Sequence, residues 1–109
     1  YKRQLIGHSN GGDMTMLFAT KYPHLINKAI SMDHRRMIMP RTEKPRLYTL
    51  RGCDYDADAG VLPTKQEQEQ FHMKVVKLDG ITHSNMGENG TEEQHRLINQ
   101  SISGFLTQK

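Results

Sequence analysis

The chain has 109 residues, 35% of them hydrophobic and 25% charged, and carries a formal net charge of +3. That is one domain's worth of chain with a modest core. It argues against a membrane span, because no apolar run approaches the roughly 20 residues required. It argues equally against nucleic-acid binding: the charge is small and scattered, and the densest basic spot, His34-Arg35-Arg36, has no aromatic neighbours on which bases could stack.

Cys53 is the single cysteine, which rules out an internal disulfide and a multi-cysteine zinc cluster. His34, His72 and His95 show no regular spacing to carboxylates or to one another, so no metal or other cofactor is expected. The chain opens on Tyr1 without a charged-then-apolar leader and reads as the downstream part of something longer, leaving its compartment open. The triplets Asn89-Gly90-Thr91 and Asn99-Gln100-Ser101 match the glycosylation pattern by chance.

Arg3 to Ile6 reads as a short strand that runs into Gly7-His8-Ser9-Asn10-Gly11-Gly12. From Gly12 to Tyr22 the positions Met14, Leu17 and Phe18 follow helical spacing, and Tyr22-Pro23 ends that helix because the residue before proline is pushed out of the helical region. Lys28 to Met32 is a second strand, closed by Asp33. Residues 34–45, broken by Pro40 and Pro45, form an irregular crossover to a third strand, Arg46 to Arg51. This strand empties into an acidic, glycine-bounded loop from Gly52 to Gly60.

Pro63 followed by Thr64-Lys65-Gln66-Glu67 gives a capping-box start for a helix through about Phe71. Lys74 to Leu78 is the fourth strand, and the loop from Asp79 to Gly90 follows it. Thr91-Glu92-Glu93-Gln94 is a second capping box opening a final helix with the apolar stripe Leu97, Ile98, Ile102, Phe105 and Leu106. Strands alternating with helices argue for an α/β fold with a parallel sheet, in which function gathers at the carboxyl ends of the strands.

The segment Gly7-His8-Ser9-Asn10-Gly11 is a Gly-x-Ser-x-Gly pattern at a strand-to-helix turn, the setting that thrusts a serine out of the backbone. A serine hydroxyl needs a base to take its proton, usually a histidine held in the right tautomer by a carboxylate. Ser9 supplies the hydroxyl, and His83, five residues past the fourth strand, supplies the imidazole. Asp54, three residues past the third strand, is the first choice of acid and Asp58 the second. Asp33 and Asp56 remain further alternatives. His8 is expected to shape the elbow or line a pocket, and Met32, Met37, Met39 and Met86 either line an acyl pocket or fill the core. A phosphate-binding loop is excluded, since Asp13 stands where the lysine should follow Gly12.

On these residues the chain resembles the C-terminal part of an α/β-hydrolase. Besides the elbow, Pro45 to Asp54 resembles the strand and turn that carry the family's acid, and Val75 to His83 resembles its last strand and histidine loop. The resemblance implies that residues 1–109 are a partial α/β-hydrolase domain, lacking the N-terminal half of the sheet. It also implies a serine hydrolase cleaving a carboxylic ester, thioester or related acyl bond of a small-molecule substrate. The backbone N–H of Asn10 is then the one assignable oxyanion donor. The alternative is a non-catalytic, hydrolase-like module that needs a missing segment of the same fold.

Overall fold

In the computed structural model, which describes residues 3–54, 56–87 and 89–107, the strand segments pair side by side. They are β1 (Gln4–His8), β2 (Lys28–Met32), β3 (Arg46–Arg51) and β4 (Lys74–Lys77), all parallel and in spatial order β1-β2-β3-β4. Parallel neighbours need crossovers. Helix α1 (Asn10–Lys21) joins β1 to β2, residues 33–45 cross to β3 without regular structure, and α2 (Lys65–Phe71) joins β3 to β4. Helix α3 (Glu92–Thr107) follows β4.

The helix boundaries follow from local chemistry. Thr64 Oγ1 accepts from the Glu67 N–H at 3.1 Å while Glu67 Oε1 accepts from the Thr64 N–H at 2.9 Å, satisfying two orphan donors at the start of α2. Thr91 and Gln94 make the same reciprocal pair at the start of α3, at 3.1 and 2.9 Å. Helix α1 starts two residues before the expected Gly12 and ends at Lys21, one residue before the expected Tyr22, ahead of Pro23.

Alternation along the strands sends side chains to two separate cores. On one face Ala29 and Leu47 pack with Met16 and Ala19 of α1 and with Ile26, Met39 and Met73. On the other, Ile30, Tyr48 and Leu50 meet Ile81, Met86, Ile98 and Phe105. Tyr48 and Phe105 stack with ring centroids 4.6 Å apart and planes inclined by 8°, which ties α3 to the centre of the sheet. Buried Lys28 reinforces this from below: its Nζ donates to the carbonyls of Phe105 and Leu106 at 2.7 and 2.8 Å. Those carbonyls lie in the last turn of α3, where intrahelical donors run out.

The apolar stripes need correcting. The buried side of α1 is Gly12, Thr15, Met16 and Ala19, whereas Met14 is 63% exposed. Small residues let this helix sit close to the sheet, a face that apolar periodicity does not register. On α3, Ile98 and Phe105 are buried and Ile102 and Leu106 pack partly, but Leu97 points outward. Met39 and Met86 are core residues, and Met32 and Met37 pack against the two cores.

Residues 34–45 are held without regular structure by Arg41, whose guanidinium donates to the carbonyls of Met39, Gly60 and Leu62 and to Glu67 Oε2. The crossover is thereby fastened to the loop that precedes α2.

Candidate active site

Ser9 is the single residue between the end of β1 and the start of α1. Its N–H donates to the Met32 carbonyl at 2.9 Å, continuing the sheet, and its carbonyl accepts from the Asp13 N–H at 3.0 Å, beginning the helix. Meeting both demands forces φ 58° and ψ −119°, a conformation that costs a residue with a Cβ of order 1–3 kcal/mol. The hydroxyl is thereby aimed along the carboxyl edge of the sheet.

The close approach of α1 to the strands depends on Gly7 and Gly12. A Cβ on Gly7 would stand 2.2 Å from the Gly11 carbonyl oxygen and 2.5 Å from Thr15 Oγ1. One on Gly12 would stand 3.0 Å from His34 Cβ. Gly11, the second glycine of the Gly-x-Ser-x-Gly pattern, has open space around its Cβ position and is not required sterically.

The loop after β4 returns His83 over this edge. Its imidazole Nε2 lies 3.0 Å from Ser9 Oγ, and its Nδ1 lies 3.1 Å from Asp33 Oδ2. With Nδ1–H donated to the carboxylate, Nε2 is left as the acceptor for the serine hydroxyl. Two contacts fix the backbone beneath the ring: Asp54 Oδ1 accepts from the His83 N–H at 2.8 Å, and His8 Nε2 donates to the His83 carbonyl at 3.0 Å. The His8 and His83 rings are 4.9 Å apart.

The carboxylate on the ring is therefore Asp33, and the expected acid Asp54 is corrected. Asp54 is exposed and holds the backbone of His83, not its ring. Asp58 pairs with Arg35 at 3.2 Å on the surface, and Asp56 is exposed. Asp33, directly after β2, is fully buried with φ 54°, a left-handed conformation that aspartate tolerates better than most residues. Its Oδ1 accepts from the Gly52 N–H at 2.7 Å and faces Arg51 Nε at 3.7 Å.

Gly52 explains why the acid sits there. A Cβ at this position would stand 2.7 Å from Asp33 Oδ2, 3.0 Å from the Ile81 carbonyl oxygen and 3.1 Å from the His83 N. The missing side chain leaves room for carboxylate and histidine loop to meet above β3.

A buried polar string continues behind Asp33, joining His34 to Ser31, Thr49 and Arg51, the last three of which carry no motif. Arg51 Nη1 donates to Thr49 Oγ1 at 3.4 Å, Ser31 Oγ donates to the same oxygen at 2.7 Å, and His34 Nδ1 lies 2.6 Å from Ser31 Oγ. His34 is fully buried and its Nε2 has no hydrogen-bond partner. Burial, followed by the nearby Arg51 cation, lowers its pKa to about 4. The available signal was polar residues at buried, alternating positions of two central strands.

The remaining histidines lie elsewhere. His72 faces Glu43 at 3.4 Å, and His95 Nε2 donates to the Gly87 carbonyl. Among the described residues no three His, Cys, Asp or Glu are grouped to hold a metal ion, and no helix is long and apolar enough to cross a membrane.

Asn10 opens α1, so its N–H is one of the amides without an acceptor inside the helix. Beside it lies a concavity of about 460 Å³ lined by Asp13, Met14, Leu17, Arg36 and Met37. Asp13 shapes this wall, since its Oδ1 accepts from the N–H groups of Arg36 and Met37, each at 2.8 Å.

The arrangement can lower the barrier to proton removal from Ser9 and can hold the resulting imidazolium against a buried carboxylate. No family model, curated protein or solved structure matches this chain.

Proposed function

We propose that this chain is a serine hydrolase of the α/β-hydrolase type, cleaving a carboxylic ester, thioester or related acyl bond. The observation that carries the reading is the unbroken contact series Ser9 Oγ, His83 Nε2, His83 Nδ1 and Asp33 Oδ2 at 3.0 and 3.1 Å. The chain order Ser, Asp, His past the carboxyl ends of the parallel strands β1, β2 and β4, with the serine on a strained strand-to-helix elbow, supports the family assignment.

In the first half-reaction Ser9 Oγ attacks the acyl carbon while His83 Nε2 takes its proton. Asp33 orients the ring and stabilises the imidazolium. The Asn10 N–H donates to the developing oxyanion. Collapse of the tetrahedral adduct breaks the bond to the leaving alcohol or thiol, which receives the proton from His83. Water then attacks the acyl-serine, again giving its proton to His83, and the carboxylic acid departs with Ser9 restored. The apolar side of the concavity beside Asn10, formed by Met14, Leu17 and Met37, offers a wall for a small acyl or alkyl group. No step calls on a cofactor.

The test is the time course of p-nitrophenyl acetate hydrolysis. A burst of about one equivalent of p-nitrophenol, absent from Ser9→Ala, is expected if an acyl-enzyme forms. A wild-type rate equal to that of Ser9→Ala overturns the reading.

One observation favours the second reading, a non-catalytic module that docks on another segment of a hydrolase-like fold. Among the described residues β1 has a strand on one side only, and Ile6 at its centre is 44% exposed. Such an edge is a template for further pairing. That reading expects no burst from the wild type.

A further inference from the structure

We propose that His8 is a positioning residue: the end of β1 that presents Ser9 also sets the place of His83, through a hydrogen bond from the His8 ring to the His83 carbonyl. The proposal rests on the hydrolase reading above and concerns how that site is held in register.

Two neighbouring residues of the elbow reach the same histidine. Ser9 Oγ lies 3.0 Å from His83 Nε2, and His8 Nε2 lies 3.0 Å from the His83 carbonyl oxygen. A carbonyl oxygen only accepts, so this contact places a proton on His8 Nε2 and makes His8 the donor. One contact takes the ring of His83 and the other its backbone. Any slide of the histidine loop along the elbow must therefore stretch the His8 bond together with the serine contact.

His8 is suited to this task because its own backbone is fixed. It is the last residue of β1 and pairs in register with Met32 of β2, and the Ser9 N–H extends that ladder to the Met32 carbonyl at 2.9 Å. The His8 ring also packs on the His83 ring, with centroids 4.9 Å apart and planes inclined by 34°. Gly87 leaves the space for it: a Cβ there would stand 3.2 Å from His8 Cε1 and 3.5 Å from His8 Nδ1. Between His83 and Gly87 runs the short turn Ser84–Met86, anchored in the core by buried Met86. The segment that leaves His83 thus returns past the ring that holds it.

Asp54 grips the other side of the same residue, accepting from the His83 N–H at 2.8 Å. The two bonds engage the peptide groups before and after the His83 Cα, but from different elements. Asp54 ties the base to the loop after β3, whereas His8 ties it to the strand that carries the nucleophile. A small misplacement of base against nucleophile slows a reaction steeply, by as much as about a hundredfold for 1 Å. The His8 bond guards that distance.

The test is kcat for p-nitrophenyl acetate hydrolysis in the full chain, for wild type, His8→Leu, His8→Asn and His8→Gln. Sites are counted by the endpoint of fluorophosphonate labelling, so that misfolded chains drop out of the comparison. His8→Leu removes the donor at similar volume, and kcat per site is expected to fall about tenfold. The two amides separate a positioned donor from a merely polar side chain. Gln carries an N–H to the place of His8 Nε2, and Asn stops short of it. His8→Gln should therefore recover most of the wild-type kcat, while His8→Asn stays close to His8→Leu. If His8→Leu does not fold, the Asn and Gln pair decides alone. Wild-type kcat in His8→Leu, or equal kcat in the Asn and Gln variants, overturns the proposal and leaves the hydrolase reading intact. A wild type that neither labels nor hydrolyses the ester overturns both.

Discussion

Asp33 and His83 meet across fifty positions of sequence, Oδ2 to Nδ1 at 3.1 Å, with the carboxylate fully buried and the ring only partly so. This contact places the acid one strand nearer to the serine than the Asp54 loop suggests. The carboxylate can serve the ring from beneath because Gly52 leaves the space open.

Replacing Asp33 should therefore hurt far more than replacing its neighbours in the acidic loop. Asp33→Asn is expected to lower kcat/KM by roughly 10³–10⁴-fold, the scale seen when a triad acid is lost and the histidine adopts the wrong tautomer. Asp54→Asn, which only weakens a bond to the His83 backbone, is expected to lose about tenfold or less, and Asp58→Asn nothing. Steady-state kinetics on the three variants decide the assignment. Equal losses at Asp33 and Asp54 contradict it.

The elbow carries a stability penalty that substitution can expose. Ser9→Gly removes the Cβ from a φ 58°, ψ −119° conformation and is expected to raise unfolding stability by about 1 kcal/mol while abolishing reaction. Ser9→Ala abolishes reaction equally but keeps the Cβ, so its urea midpoint should stay near wild type. A glycine variant no more stable than the alanine variant argues against a strained elbow.

The glycines of the turn should behave unequally. Gly7→Ala forces a Cβ against the Gly11 carbonyl and Thr15, so α1 must lift from the sheet, with a loss of several kcal/mol in line with severe overpacking. Gly11→Ala lies in the exposed first turn of the helix with open space, and should be neutral or stabilising by up to about 1 kcal/mol. Chemical denaturation of both variants checks the pair.

His34 gives the fold an acid sensitivity of its own. The unfolded chain takes up this proton near 6.5 and the folded chain only near 4. Between those values the unfolded state holds more protons, so stability rises with pH. The contribution of neutral His34 is complete above pH 6.5 and is lost progressively down to about 4, a difference of about 3 kcal/mol. Urea unfolding of wild type and His34→Gln at pH 7, 5.5 and 4.5 should show a smaller acid loss in the variant. Parallel pH profiles for the two proteins contradict the assignment.

The strands and capping boxes were readable because each is set by nearby residues: β2 and β3 have the bounds the sequence predicts, and Thr64 and Thr91 begin their helices as capping boxes. The juxtaposition of Ser9 with His83 was readable from motif order. The identity of the facing carboxylate was not. Asp33, Asp54, Asp56 and Asp58 all follow strands, and the choice among them depends on strand register and on the void above Gly52, neither of which leaves a periodic trace. The same limit hid the packed side of α1. Apolar spacing picked Met14, but glycine, threonine and alanine make the close contact.

The most direct measurement is intact mass after exposure to a fluorophosphonate probe, followed by peptide mapping. One adduct on wild type, located on Ser9, absent in Ser9→Ala and formed much more slowly in Asp33→Asn, is the expected result. An unlabelled wild type, or an adduct that persists when Ser9 is replaced, contradicts the assignment of Ser9 as a nucleophile.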